Sequence, residues 1–203
     1  MAHTLEAAER ILATDAPQTG VVARKMDRRL VDVLVSWTGA VIAFALVALG
    51  AAAIYGGTFA LDNVRDRLEP QRISFPPAEA MTAQETAEVG GFAGAKVDTG
   101  TEAEAFSRYI GLHLTDVNEG ATYSETSSAA RAEGISKAEA AELSGKADTL
   151  FKGETLKAIL LNAYGWWTVG QITFWAGIGA VIAGIILSLF VALGFRHSRK
   201  ATA

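Results

Sequence analysis

The chain has 203 residues, of which 50% are hydrophobic, and a formal net charge of −4 at pH 7. This composition, with a mean hydropathy of +0.24, is more apolar than that of an ordinary soluble domain and favours a membrane protein. Cysteine is absent, which excludes a disulfide framework, a thiolate metal site and a cysteine nucleophile.

Residues 1–32 are predicted to form a disordered cytoplasmic arm. Four basic side chains stand directly before the first apolar segment, namely Arg24, Lys25, Arg28 and Arg29. Such a basic cluster fixes the orientation of the following membrane span. Alternatively, the arm binds lipid or docks on a partner. The polar leader is too long for an ordinary secretory signal, so we expect an uncleaved signal anchor.

The first transmembrane helix is predicted over residues 33–57, which contain no charged side chain. Trp37 and Tyr55 bracket it, and amphipathic aromatic residues favour the two membrane interfaces. At about 1.5 Å per residue, their separation matches a hydrocarbon core of about 30 Å plus a little interface.

Residues 58–167 are predicted to be a small, mostly helical extracytoplasmic domain. The first helix should continue to Leu68 and end at Pro70, and residues 73–77 should form an extended connector. Residues 95–97 are the one candidate for a short strand. Further helices are expected over residues 78–89, 102–117, 122–131 and 136–151, with capping residues at Thr99 or Thr101 and at Ser136.

A second apolar run extends from Ala158 to Phe195 without a charged residue, which is longer than a bilayer requires. We predict the second transmembrane helix over residues 168–195, with Trp175 and Phe195 as its bracket. The turns before it should form a membrane-proximal stem. Its junction residues are Asn162, Tyr164, Trp166 and Trp167.

The orientation follows from the basic residues near the ends of the spans. A basic cytoplasmic tail, residues 196–203, follows the second span, whereas residues 57–165 contain ten basic against seventeen acidic side chains. The positive-inside rule therefore predicts both termini in the cytoplasm and residues 58–167 outside the cell membrane. The acidic outer segment also argues against a nucleic-acid partner.

Small residues recur at every fourth position of the second span and suggest a helix-packing face. These are Ala176, Ala180, Gly184, Ser188 and Ala192. The first span offers a similar series, Ala48, Ala52, Gly56 and Ala60. The face could seat the first span, a second copy or another membrane protein, and an alanine-rich composition can also produce such a series by chance.

Five short segments resemble a family of two-span actinobacterial membrane proteins without an established activity. They are ISFPP at 73–77, GLHL at 111–114, ATYS at 121–124, LFKGETL at 150–156 and LNAYGWWT at 161–168. The resemblance covers roughly residues 31–195 and implies two spans with an outer domain. Some members are labelled ring-opening dioxygenases. That chemistry needs about two histidines and a carboxylate on one iron, whereas His3 and His197 are predicted inside and His113 outside.

The residues favour a non-enzymatic membrane scaffold or accessory interaction protein, without a cofactor, whose partners are the lipid bilayer and another membrane protein or a second copy. The alternative is an extracytoplasmic sensor that binds a small molecule or lipid among Tyr109, Tyr123, Trp166 and Trp167. An enzyme is the third hypothesis. It would rest on His113 with Asp116, three residues further on the same helical face.

Overall fold

The structure is a computed structural model that describes the backbone of residues 19–200 and the side chains of residues 30–196. This part of the chain is all-helical and contains no strand, so the predicted all-α class is confirmed for it. Its α-helices are α1 (Thr19–Leu68), α2 (Ala83–Val89), α3 (Gly100–Val117), α4 (Tyr123–Ala129) and α5 (Lys137–Lys200). Short 3-10 turns lie at Glu69–Gln71, Ala78–Ala80 and Gly90–Phe92.

Two of these helices are long and apolar enough to cross a membrane, as predicted. The segments are Leu30–Gln71, which is α1 from Leu30 onwards with the 3-10 turn that follows it, and Lys137–Arg196 in α5. Their most apolar windows are only 11% and 6% buried, unlike the core helix of a soluble protein. Helices of 50 and 64 residues are about 75 and 96 Å long at 1.5 Å per residue, so both extend well past a 30 Å hydrocarbon core.

Both long helices begin earlier in the chain than the predicted transmembrane helices. Helix α1 begins at Thr19, so residues 19–32 of the predicted arm are helical, and residues 1–18 lie outside the described part. The helix predicted over 136–151 does not end there, because α5 continues from Lys137 through the second span. Gly153 causes no break because it is buried against Leu114, and a Cβ at this position would overlap the leucine.

The described chain forms two compact units. The first contains residues 19–51 and 179–200, and we call it the pair unit. The second, Ala52–Ile178, contains the adjoining parts of α1 and α5 together with α2, α3 and α4, and we call it the cap unit. The side chains of the predicted basic tail after Arg196 lie outside the described residues.

The cap unit has one hydrophobic core, to which both long helices contribute. Val64 and Leu68 lie one turn apart on α1, and Leu160 belongs to α5. The remaining buried members come from α2, α3 and the connectors: Phe75, Val89, Val97, Ala103 and Ala105. The long helices are thus structural parts of the cap as well as apolar segments.

The connector after α1 is held by a few backbone hydrogen bonds. Val97 N–H donates to the Ile73 carbonyl and Phe75 N–H to the Ala95 carbonyl, both at 2.9 Å. Ser74 and Lys96 form an isolated antiparallel bridge. The predicted strand at 95–97 is therefore only a single bridge, and Pro77 has no N–H with which the ladder could continue.

Threonine and serine caps begin the helices of the cap unit. The cap at Ser136 accepts from Glu139 N–H (3.2 Å), as predicted. Of the two candidate caps Thr99 and Thr101 the structure uses Thr99, whose N–H donates to Glu102 Oε2 (2.8 Å), and α3 begins at Gly100 rather than at residue 102. Helix α4 begins with a reciprocal capping box between Thr122 and Glu125. The helix predicted over 78–89 is a 3-10 turn followed by α2, because a further capping box, Thr82 with Glu85, sets its start at Ala83.

Candidate functional site

An aromatic cluster surrounds Phe75, which is 3% exposed, in the centre of the cap unit. Its ring stacks on Phe92 with the centroids 5.5 Å apart and meets Phe106 edge-on at 5.1 Å. Tyr109 approaches Phe75 and Phe106 at 6.2 and 5.3 Å. Such aromatic pairs contribute about 0.5–1.5 kcal/mol each beyond their buried area. The ISFPP segment therefore supplies the centre of the core.

Trp167 joins α5 to the start of α3. A Cβ at Gly100 would overlap the Cβ of Trp167, so only glycine permits this approach. The guanidinium carbon of Arg65 in α1 lies 5.9 Å from the centroid of the indole, a cation-π distance. Trp167 also packs against the hydrophobic core. One predicted junction residue thus connects three helices of the cap unit.

The other predicted junction residues are placed differently. Asn162 is exposed, and Tyr164 and Trp166 are 39% and 60% exposed. Successive residues of a helix are about 100° apart, so adjacent tryptophans cannot share an environment. The structure therefore brings only Trp167 into the core, and the sequence offered no signal that separates it from Trp166.

Within the cap unit, glycines allow close contact between α1 and α5. A Cβ at Gly57 would lie 2.6 Å from the backbone nitrogen of Phe174 and 2.8 Å from the carbonyl oxygen of Gly170. A Cβ at Gly170 would lie 3.1 Å from Leu61. Small residues let helix backbones approach closely, and van der Waals packing then stabilises the pair. This contact also fixes the register, with Leu61 level with Gly170.

The pair unit uses the same kind of contact. A Cβ at Gly184 would lie 2.7 Å from Val47 Cγ2 and 3.0 Å from the Ala43 carbonyl oxygen. Towards the other end, the rings of Trp37 and Phe195 meet edge-on with their centroids 6.4 Å apart. In this unit the second apolar segment therefore packs on the first.

The predicted small-residue series is not the face along which α1 and α5 contact each other. Of its five members only Gly184 is buried, whereas Ala180 is half-buried and Ala176, Ser188 and Ala192 are exposed. In the first span Ala48, Ala52 and Gly56 are exposed and Ala60 is half-buried. A strict four-residue spacing advances about 400° per step, so such a series turns by about 40° each time and leaves the contact face.

A seven-residue spacing was the signal that sequence reasoning missed. Ala43, Gly50 and Gly57 are buried in α1, and Gly170, Gly177 and Gly184 are buried in α5. Seven residues correspond to about 700°, which drifts by only about 20°, the spacing typical of left-handed helix packing. The small residues at this spacing, rather than those at every fourth position, are the ones buried.

His113 has a carboxylate neighbour, but a different one from that predicted. Its Nε2 lies 3.3 Å from Glu85 Oε1, and its Nδ1 lies 3.0 Å from the Tyr109 carbonyl oxygen. Asp116 is exposed and does not pair with it. Among residues 30–196, no group of three or more His, Asp or Glu side chains could hold a metal ion. The arrangement is an exposed histidine beside one carboxylate.

Glu85 is 7% exposed, and its carboxylate caps the start of α2. It accepts a 2.6 Å hydrogen bond from the Thr82 backbone N–H, and this bond is the main reason that the pKa of Glu85 is lowered. The Thr82 hydroxyl and the charge of His113 act in the same direction, whereas burial opposes them. Burial, with the Glu85 charge as a second cause, raises the pKa of Tyr109.

We expect the cap unit to lose stability in acid through Glu85. A carboxyl whose pKa is lowered by folding stabilises the fold above its unfolded pKa, about 4.3, and this contribution disappears as the pH falls through the folded pKa. Glu85→Gln should be less stable than the wild type at pH 7, and the difference should shrink towards about pH 3. Melting temperatures between these pH values measure this. If the stability difference between Glu85→Gln and the wild type stayed the same from pH 7 to about pH 3, this expectation would be contradicted. The matched control is Asp116→Asn, which removes an exposed carboxylate.

The four aromatic side chains of the sensor hypothesis lie in different environments. Tyr109 and Trp167 pack against the core. Tyr123 is 44% exposed and contacts Phe151 with the centroids 5.6 Å apart, and Trp166 is 60% exposed. A ligand pocket formed by these four rings would require them to converge on one cavity. Two of the rings lie in the core and two are exposed, which does not favour such a pocket.

The chain matches no protein-family model, no curated protein and no solved structure. The fold alone therefore classifies the described part of the chain: it is all-helical, with two helices long and apolar enough to cross a membrane.

Proposed function

We propose that this protein is a non-enzymatic membrane scaffold that presents a helical cap outside the cell membrane for interaction with another protein chain. The observation that carries the proposal is that both apolar helices enter the core of the cap unit, through Val64 and Leu68 on α1 and Leu160 and Trp167 on α5. The cap unit is thus built in part from the two helices that would anchor it. Such an arrangement suits a docking platform.

The proposed orientation rests on charge. Arg28, Arg29 and Arg196 flank the apolar segments on the side that we place in the cytoplasm, and the cap segment has more acidic than basic side chains. The resemblance to two-span actinobacterial membrane proteins agrees with this topology. The extracytoplasmic sensor is the second hypothesis, and ligand-dependent tryptophan fluorescence of the intact protein would favour it.

Purification of the intact protein in mild detergent, after crosslinking in cells, tests the scaffold. We expect a defined companion chain to accompany it. Gly184→Leu should lower the melting temperature and lose the companion, because the added side chain would meet Val47 and the Ala43 backbone.

The matched control is Gly179→Leu. A Cβ at Gly179 has nothing within 4 Å, so this variant adds the same bulk to the same helix without a clash. It should retain both the companion and the wild-type melting temperature. A protein that purifies as a lone monomer, with no crosslinked partner in cells, would contradict the proposed function.

A further inference from the structure

One exposed side of α5 carries a regular series of uncharged residues, which we call the outer seam: Thr155, Ile159, Asn162, Trp166 and Val169. Ile159 and Trp166 are each 60% exposed and Val169 is 51% exposed. The spacing alternates between four and three residues, which keeps the side chains on one face of a helix and is the spacing of helix-to-helix seams. A different face of α5, with Leu160 and Gly170, packs on α1.

The register between α1 and α5 places much of the outer seam beyond the bilayer. Leu61 is level with Gly170, and the first charged residue of the outer part of α1 is the next one, Asp62. The hydrocarbon core can therefore extend no further than about this level. Ile159 lies about 16 Å beyond Gly170 at about 1.5 Å per residue. A headgroup layer adds only about 5–8 Å, so lipid does not cover Ile159.

A partner for the outer seam must offer an uncharged surface at this same height outside the membrane. A second copy of the chain offers such a surface, because the same basic residues orient it in the same way. Its α5 therefore lies at the same height relative to the membrane. In a symmetric pair about an axis along the membrane normal, each seam residue meets its own counterpart. Like charges would repel there, and the outer seam carries none.

Asn162 strengthens this preference. It lies between Ile159 and Trp166 in the outer seam and is exposed. A single asparagine within an apolar seam pairs with itself in parallel two-helix contacts and fixes their register. Further from the membrane the same spacing continues with Lys152 and Asp148, and each would face its own like-charged counterpart, so the uncharged contact ends at Thr155.

We propose that the outer seam is the surface on which a second copy of this chain docks, with the two α5 helices side by side and parallel. This inference rests on the proposed function, from which it takes the membrane orientation, and it names the partner of that scaffold.

Because the protein contains no cysteine, single cysteines report this contact without background. Ile159→Cys, Asn162→Cys and Trp166→Cys should each form a disulfide-linked dimer when membranes holding the full chain are oxidised. The matched control is Leu161→Cys, which is also exposed (45%) but points about 100° away from Asn162. Disulfides need Cα atoms within about 7 Å, so we expect at least about fivefold more dimer at the seam positions.

A second variant tests the same contact without oxidation. Asn162→Lys places two like charges opposite each other and should convert the detergent-solubilised dimer to a monomer by light scattering, whereas Leu161→Lys should leave the dimer intact. Equal crosslinking at position 161 and at the seam would overturn the proposal.

The remaining outcomes separate this inference from the proposed function. If no seam cysteine variant forms a dimer but a different protein accompanies the chain, docking of a second copy is wrong and the scaffold proposal is retained. If there is neither a dimer nor a companion, both are wrong.

Discussion

Trp167→Ala is expected to destabilise the cap unit by about 3 kcal/mol, whereas Trp166→Ala should cost less than about 1 kcal/mol. The two residues are adjacent and chemically identical, but only Trp167 packs against the core. Its removal leaves a cavity beside Gly100 and takes away the ring beneath Arg65. Trp166 is 60% exposed and leaves no cavity.

Thermal unfolding and limited proteolysis of the full chain measure this difference. Both should be done at a dilution and in a detergent that separate copies of the chain, because Trp166 belongs to the outer seam. His113→Ala is a further control, since its side chain is 54% exposed and lies outside the packed core. Equal protease resistance of the Trp167→Ala and His113→Ala proteins would refute the assigned role of Trp167.

Gly100 provides an internal check on the same contact. Gly100→Ala should destabilise the wild type, because its Cβ would overlap Trp167. In the Trp167→Gly background both the Cβ and the indole that this Cβ would meet are gone, so the same substitution should cost less. A non-additive pair would show that the two positions act through one contact.

Local signals in the sequence predicted much of the cap. The cap at Ser136 with Glu139 and the stop before Gly120 depend on side chains a few residues apart, which the sequence displays directly. The same logic applies to Thr82 and Glu85, but the start of α2 was predicted too early. The 3-10 turn at Ala78–Ala80 follows two prolines and mimics a helical start.

Contacts between distant segments were less predictable. The pairing of His113 with Glu85 rather than Asp116 depends on how α2 lies beside α3. The sequence shows neighbours three and four residues apart, and it does not show which carboxylate another helix brings near. For the same reason, the sequence singled out the adjacent Trp166 and Trp167 as junction residues without separating their roles.

The predicted helix-packing residues follow a different period from the residues that join the two long helices. The series from Ala176 to Ala192 is regular in sequence, but only Gly184 within it is buried. Long helices that pack together keep one face in contact at a seven-residue spacing, and both α1 and α5 follow it. In an alanine-rich and glycine-rich chain, several periods coexist, and the burial pattern decides between them.

Gly57→Val is expected to separate α1 from α5 in the cap unit and to destabilise it by about 3 kcal/mol, the upper end of ordinary overpacking costs. The atoms that a Cβ at Gly57 would meet are the backbone nitrogen of Phe174 (2.6 Å) and the carbonyl oxygen of Gly170 (2.8 Å). Backbone atoms inside a helix cannot rotate away as a side chain can. The helices must therefore move apart, which also weakens the contact between Leu61 and Gly170.

Gly56 is the matched control, because a Cβ there has nothing within 4 Å. Gly56→Ala should be neutral or stabilising by up to about 1 kcal/mol through helix propensity, whereas Gly57→Ala should be destabilising, so the two substitutions have opposite signs. Melting temperatures of these three variants and the wild type in one detergent test this expectation. If Gly57→Ala melted no lower than Gly56→Ala, the glycine contact would not hold the cap on its anchors. The scaffold proposal would then lose the contact that joins the two long helices in the cap unit.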